Sequence, residues 1–396
     1  MLEVAALTAV ITDVHYRMSL AAIRDLADAG VRVVACEKEE YRNRALGFCS
    51  NRISAVEVLP DSGWFEALYS LCEALCREEG EKPALLPVGA KTLAALAEPD
   101  ARARFSRVCG LCLPTAGQLD LFNDKAAVSR LAERLGIPVP CSFAVDGLPG
   151  ENMLREIPLP CVVKPLCGEK FGLPASERYV IARDSAALET AVAHFRKLTG
   201  EAPVVQEYLC GMGMGCSVIA EKGEILSAVC HRRLREYPIS GGPSTCCVSF
   251  SSEPLLEYAR RMMEETGYSG LAMLEFKEDA AGIPRLLEIN PRVWGSYPLT
   301  RAAKTGLSYV WFAAAWRNGN PGQELPPVSF RPIDGKKMVF SASDAAAALG
   351  YWKHGKKRQA LRALGDFLNP AVRDGLWEWR DPKPGLRYLK TALKKD

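Results

Sequence analysis

The sequence predicts a protein of α/β and α+β class: a doubly wound α/β domain at the N-terminus, a mixed α+β region, and a small helical C-terminal extension. Three observations predict it. Strand and helix patterns alternate over residues 1–115. Short apolar strands punctuated by glycines, including two candidate hairpins, run from there to residue 325. Residues 326–396 read as short basic helices. With 396 residues the chain can form several cores, and an apolar content of 48% with 24% charged residues is ordinary for a globular protein. A net charge of +3 gives no ground for a nucleic-acid partner, and no apolar run has the length of a membrane span. Fourteen cysteines, scattered through apolar patterns, are expected as reduced, buried thiols in a cytoplasmic protein. Cys109-Gly110-Leu111-Cys112 is the only CxxC, and with four histidines in the chain a zinc site is not expected.

The elements follow in order. Residues 4–11 form a strand that runs into Asp13, with no basic residues before it, and so do not read as a signal peptide. A helix over 19–29 ends at Gly30, and strands follow at 31–35 and 84–87. The turn after the first strand, Thr12-Asp13-Val14-His15-Tyr16-Arg17, has no glycine, which disfavours a dinucleotide site. Asn123-Asp124-Lys125 opens a helix that runs to Leu135, with Asn123 as its N-cap and Gly136 as its stop. Residues 137–140 are a linker or edge strand. Strands at 161–165 and 204–209 flank a helix at 186–198. A hairpin turns at Lys222-Gly223, and a helix spans 253–266. Strands at 271–276 and 285–290 form a second hairpin, followed by a helix over 307–316. Helices at 345–349, 358–368 and 386–393 complete the chain. From Tyr351 onward 12 Lys and Arg face 5 Asp and Glu, which is read as a solvated helical face with Trp377, Trp379 and Tyr388 as packing residues.

The second hairpin carries the chemistry. Folding it back sets Glu275 opposite Glu288, and Asn290 projects from the same face two residues on. Facing carboxylates among Leu, Ile and Phe repel one another, and a hard divalent cation removes that cost. Two carboxylates and an amide oxygen are a donor set that Mg²⁺ accepts. Lys164, inside an apolar strand, calls for an anion, and Lys125 sits in the first turn of a helix, where free N–H groups favour one. The segment from Leu166 to Gly172 is a candidate phosphate loop. Arg232, Arg233 and Arg235 precede a Gly-Ser-Thr segment, and strand alternation puts Arg233 and Arg235 on one face with His231. Arg292 follows Asn290 by two residues. Gly211-Met212-Gly213-Met214-Gly215 marks a strand crossing.

In order, Asp124-Lys125, Val162-Val163-Lys164-Pro165, Gln206-Glu207-Tyr208-Leu209 and Glu288-Ile289-Asn290-Pro291-Arg292 resemble the ATP-grasp superfamily. The string from His231 to Thr245, with Asn290 to Ser296, resembles its carboxylate–amine ligase branch, which includes D-aspartate ligase. The resemblance implies two lobes, 116–205 and 206–325, that close on ATP. It implies Lys125 and Lys164 on phosphates, and Gln206, Glu207, Tyr208 and Leu209 along the adenine. Glu275, Glu288 and Asn290 would hold one or two Mg²⁺, with Mn²⁺ as a substitute. Arg233, Arg235 and Arg292 would act in catalysis. The substrates implied are a small carboxylate and an amine, with an acyl phosphate between them; a homodimer is compatible. A non-catalytic ATP-binding module and a carboxylation reaction are the alternatives. The acidic residue that relatives place past the hinge for the ribose has no counterpart between Leu209 and Cys216.

Overall fold

The computed structural model describes residues 7–143, 157–165, 173, 179–239, 242–326 and 328–392. The N-terminal alternation folds as β1 (Thr8–Thr12), α1 (Ser19–Asp28), β2 (Arg32–Lys38), β3 (Ala55–Leu59), α2 (Trp64–Glu79), β4 (Ala84–Pro87), α3 (Ala90–Ala97) and α4 (Pro99–Phe105). All strand pairs are parallel, in the order β3-β2-β1-β4. Covered on both faces, β1 is buried along its whole length, as a continuous apolar run requires. The order reverses at β1, whose C-terminal end therefore opens a crevice beside β4.

Two helices lead out of this unit: α5 (Ala116–Asn123), with a capping box from Thr115 and Gln118, and α6 (Lys125–Arg134). The N-cap of α6 is Asp124 rather than Asn123. Its carboxylate accepts from the amides of Ala126 and Ala127, while Asn123 ends the preceding helix. Two abutting helices leave one extended residue between them, and a carboxylate suits the positive end of the second.

The next sheet is antiparallel: β5 (Ser142–Phe143), β6 (Cys161–Lys164), β7 (Val180–Ala182) and β8 (Val204–Glu207), in the order β5-β8-β6-β7. Helix α7 (Ser185–Thr199) buries Leu188, Val192 and Phe195 against Val163 and Val205. The proposed phosphate loop, 166–172, lies outside the described residues.

The third sheet is built from β9 (Gly213–Glu221), β10 (Glu224–Glu236), β11 (Ser244–Phe250), α8 (Glu253–Thr266), β12 (Gly270–Glu278), β13 (Pro284–Asn290), α9 (Pro298–Ala302) and α10 (Leu307–Gly319). It continues into β14 (Lys337–Val339), α11 (Ser341–Lys353), α12 (Lys357–Leu368), β15 (Arg373–Asp374) and α13 (Lys383–Ala392). Seven strands run in the order β13-β12-β9-β10-β11-β14-β15. One face, through Met214, Cys216, Val218, Leu274 and Phe276, packs on α6 and α8. The other face carries Gly213, Gly215, Glu275 and Lys277.

The residues after 326 are thus not set apart from the sheet. Two short strands join it, β14 beside β11 and β15 beside β14. Buried ion pairs tie the same region to the N-terminal unit, among them Arg24 to Asp381 at 2.9 Å. Trp377 packs partly, but Trp379 is 84% exposed and does not act as a packing residue.

Candidate functional site

Glu275 pairs with Glu288 in the register of β12 and β13, as the hairpin pattern requires. The same cross-strand row continues through Gly215 on β9 to His231 on β10. Asn290 lies two residues along β13 and donates from Nδ2 to Glu288 Oε1 at 3.2 Å.

The facing carboxylates do not stand as a bare repelling pair. Lys125 Nζ lies 2.6 Å from Glu288 Oε2, and Arg233 Nη2 lies 2.8 Å from Glu275 Oε2. Burial works to raise the Glu288 pKa, but Lys125 and Lys164 outweigh it and hold the group down at about 2. Burial raises Glu275, and Arg233 offsets that while Glu288 adds to it. Lys164, at the end of β6 in the neighbouring sheet, lies within the field of the same two carboxylates. Burial and the Lys125 charge lower its pKa to about 8. Two sheets and the first turn of α6 therefore place three cations around two carboxylates.

The glycine string shapes the floor of this site. Period-two glycines strip one face of β9 of side chains while Met214 and Cys216 fill the other. A Cβ on Gly213 would lie 3.1 Å from Arg233 Cδ, and one on Gly215 would lie 2.4 Å from His231 Cε1. The bare floor lets Arg233 cross from β10 over β9 to reach Glu275 on β12. His231 is buried beside Gly215, with Nε2 3.5 Å from Ser296 Oγ. Burial and the Arg233 charge lower its pKa to about 3, so it stays neutral near pH 7. Sequence reasoning noted both glycines and His231 without assigning them a role. The G-x-G-x-G spacing facing a polar hairpin was the available signal.

Not every expected residue reaches the site. A bulge between Arg233 and Arg235 makes them oppose consecutive residues, Cys247 and Cys246, on β11. Leu234 is the extra residue, so the strand parity flips and Arg235 leaves the face of Arg233. Its guanidinium instead binds Asp344 and Asp366, each at 2.8 Å, in a buried cluster with Thr245. Arg292 donates to the Val293 carbonyl at 3.3 Å and sits near Tyr16. The Tyr16 phenol is raised by burial and by Asp13 and Tyr41, and Arg292 pulls it back in part. This brings the crevice at the end of β1 beside the hairpin. There His15 stacks on Tyr41 and binds the buried Glu37 carboxylate through Nδ1 at 2.8 Å.

The expected hinge divides by role. Gln206 is buried and donates to Ser142 Oγ, and Glu207 Oε2 accepts from the Cys141 amide. These two side chains hold β5 to β8. Tyr208 lies under Lys277 Nζ, 5.1 Å from the ring centroid, and Leu209 is buried. A nucleotide edge would therefore meet the backbone and Tyr208 rather than the Gln206 and Glu207 side chains.

The donor set fits a hard divalent cation. Glu288 is ionised without needing to lose a proton, and the available donors are oxygens. Among the described residues there is no group of three or more His, Cys, Asp and Glu able to hold a metal ion. The remaining ligands would be phosphate oxygens and water.

The family model described as ATP-grasp in the biosynthetic pathway with Ter operon matches residues 200–334. No curated protein sequence matches the chain. Solved structures similar in fold include a biotin carboxylase from Campylobacter jejuni complexed with β,γ-ATP. It is 17% identical, with 82% of this chain and 73% of that chain covered and a TM-score of 0.60. The biotin carboxylase domain of 2-oxoglutarate carboxylase from Hydrogenobacter thermophilus, with MgADP and bicarbonate, is 18% identical. Coverage there is 83% and 72%, and the TM-score is 0.56. An L-amino acid ligase from Bacillus licheniformis is 17% identical over 80% of this chain and 75% of that chain, with a TM-score of 0.53.

Proposed function

We propose that this chain, which shares the fold of ATP-grasp structures and matches an ATP-grasp family model over residues 200–334, is an ATP-dependent ligase joining a carboxylate to an amine on amino acids or small peptides. One observation carries the reading: Glu275, Glu288, Lys125, Lys164 and Arg233 converge from two sheets and a helix start on one polar focus. Phosphoryl transfer needs positioning and charge neutralisation more than covalent help, and this focus supplies both. Lys125 and Lys164 hold the phosphates, and the chain past β8 holds the adenine. Glu275, Glu288 and Asn290 hold Mg²⁺, which when bound neutralises phosphate charge. Arg233 is freed from Glu275 as the site fills and turns to the transferring phosphoryl group and the substrate carboxylate. The carboxylate oxygen takes the γ-phosphoryl group, ADP leaves, and the amine displaces phosphate from the acyl carbon. The fold alone does not choose between ligation and carboxylation, since it serves both in the solved structures. The basic strand β10 facing the hairpin, in the segment from His231 to Thr245, supports ligation. A cytoplasmic setting is part of the proposal; of the thirteen described cysteines most are buried as expected, but Cys141 and Cys210 are exposed.

The direct test is a screen for ADP release over pairs of amino acids with Mg²⁺, each product identified by mass. The reading expects ADP only when both a carboxylate and an amine are present. ADP release that requires bicarbonate instead would replace it with carboxylation.

Two variants report on the roles. Lys164→Ala should weaken ATP binding by about 2 kcal/mol, because a charge-assisted contact is lost from a closed site. Lys164 is a cation below its pKa and neutral above it, so wild-type affinity should fall as pH rises through about 8. The variant should lack that step. Calorimetry showing equal affinity and equal pH dependence would make the lysine structural. Arg233→Ala should lower kcat by on the order of a hundredfold while leaving ATP affinity nearly unchanged, since its contact to the reacting group forms in the transition state. A variant with wild-type turnover would confine Arg233 to holding Glu275.

A further inference from the structure

The helical hairpin of α11 and α12 turns its large apolar side chains outward. On α12 the residues facing the protein are small or charged: Ala360, Ala363 and Asp366. Leu361, Leu364 and Leu368, at i, i+3 and i+7, form a stripe on the opposite side and are 59%, 56% and 72% exposed. Phe367 borders the stripe at 65% exposed, and on α11 Leu349 and Trp352, at i and i+3, are exposed as well, at 63% and 54%. An amphipathic helix that stabilises its own domain buries its large apolar residues, and this one exposes them together with its cations while burying Ala360, Ala363 and Asp366. A contiguous apolar patch rimmed by polar groups marks an interaction surface.

The rim has one sign. Lys353, Lys356, Lys357, Arg358 and Arg362 lie in the turn and along the stripe, all exposed. The only acidic side chain of α12, Asp366, points inward and is consumed by Arg235 at 2.8 Å and Lys337 at 2.7 Å. The same ion pairs fix the helix to the sheet, so its outer face is a fixed surface and not a frayed end.

We propose that the α11–α12 hairpin docks this protein on an anionic lipid surface, with Leu361, Leu364, Phe367, Leu368 and Trp352 in the headgroup–acyl boundary and the five cations against lipid phosphates and carboxylates. Leucine and aromatic side chains flanked by Lys and Arg, with no free acid, are what such an interface accepts. A tryptophan at the edge of the patch matches the preference of indole for the boundary between water and hydrocarbon. The charge argues against a second copy of this chain as the cover, because two copies meeting face to face would bring the same cations together. It argues for lipid over nucleic acid as well, since an aliphatic stripe at the centre offers bases nothing to stack on.

The test is sedimentation of the full chain with vesicles of phosphatidylcholine alone and with vesicles of equimolar phosphatidylcholine and phosphatidylserine. The wild type should sediment with the anionic vesicles and remain in solution with the neutral ones, and the bound fraction should fall as salt is added. The L364E/F367E variant removes apolar contact at exposed positions and should keep its melting temperature. Its partitioning onto anionic vesicles should drop by roughly tenfold or more. A second variant, K356Q/K357Q/R358Q, should lose the preference for anionic lipid. No sedimentation of the wild type with anionic vesicles at low salt would overturn the proposal. So would equal binding by L364E/F367E. A dimer in solution that dissociates in that variant, without vesicle binding in the wild type, would assign the face to a second copy instead.

Discussion

Glu288→Gln is expected to lower ADP formation by at least roughly a hundredfold, because the change removes the carboxylate that pairs with Lys125 and that we propose as a cation ligand. A bare pair of facing glutamates would predict that removing one relieves repulsion and raises stability. The geometry predicts the opposite. Glu288 is compensated by Lys125 at 2.6 Å and lies in the field of Lys164, so its loss leaves two neighbouring cations facing each other. The melting temperature of the variant should therefore fall modestly. The sign follows from the pKa. A carboxylate lowered from 4.5 to about 2 in the folded state stabilises the fold above its unfolded pKa, and that contribution is lost as the pH falls from 4.5 toward 2. Acid unfolding of the wild type should include this loss, and Glu288→Gln should not. Wild-type turnover in the variant would remove the metal assignment. A raised melting temperature would mean that the carboxylates, not the cations, dominate the focus.

Arg235→Ala is expected to destabilise the protein by about 3–5 kcal/mol, read as a lower denaturant midpoint. Arg235, Asp344 and Asp366 are all buried, and truncating the arginine leaves Asp344 with only the Thr245 hydroxyl and Asp366 with only Lys337. Two buried carboxylates that lose their shared cation are among the costliest point changes a fold meets. Arg233→Ala, two residues away, should change stability far less, because its partner Glu275 retains Lys125 and Lys164 nearby. Equal stability losses in the two variants would contradict the separation of their roles.

These two arginines also mark how far the sequence could be read. Where a pattern was local, it carried through: the hairpin setting Glu275 against Glu288, the helix over 253–266, and Lys125 at the first turn of a helix. Each rests on a period or a cap that neighbouring residues alone decide. Where the outcome depended on a partner far along the chain, it did not. The single extra residue Leu234 in β10 reversed the parity of Arg235, and its cause lies in β11 and the helices beyond. Strands of three and two residues, β14 and β15, have no local signature and exist because β11 offers them an edge. The expected repulsion between the glutamates failed for the same reason. Lys125 is 163 positions before Glu288, and Arg233 is separated from Glu275 by a helix and a strand. The helix over 358–368 was legible in the sequence, but which of its faces looks inward is set by the buried pairing of Asp366 with Arg235.

In the proposed reaction a substrate carboxylate is activated by ATP and then joined to an amine. Its most direct test follows oxygen-18 from labelled carboxylates of amino acids and small peptides, incubated in pools with ATP and Mg²⁺. An acyl phosphate intermediate predicts one labelled oxygen in the released phosphate for each ADP formed, and an amide product whose mass is that of acid plus amine less water. Release of ADP with unlabelled phosphate, or labelled phosphate without an amide product, would contradict the account.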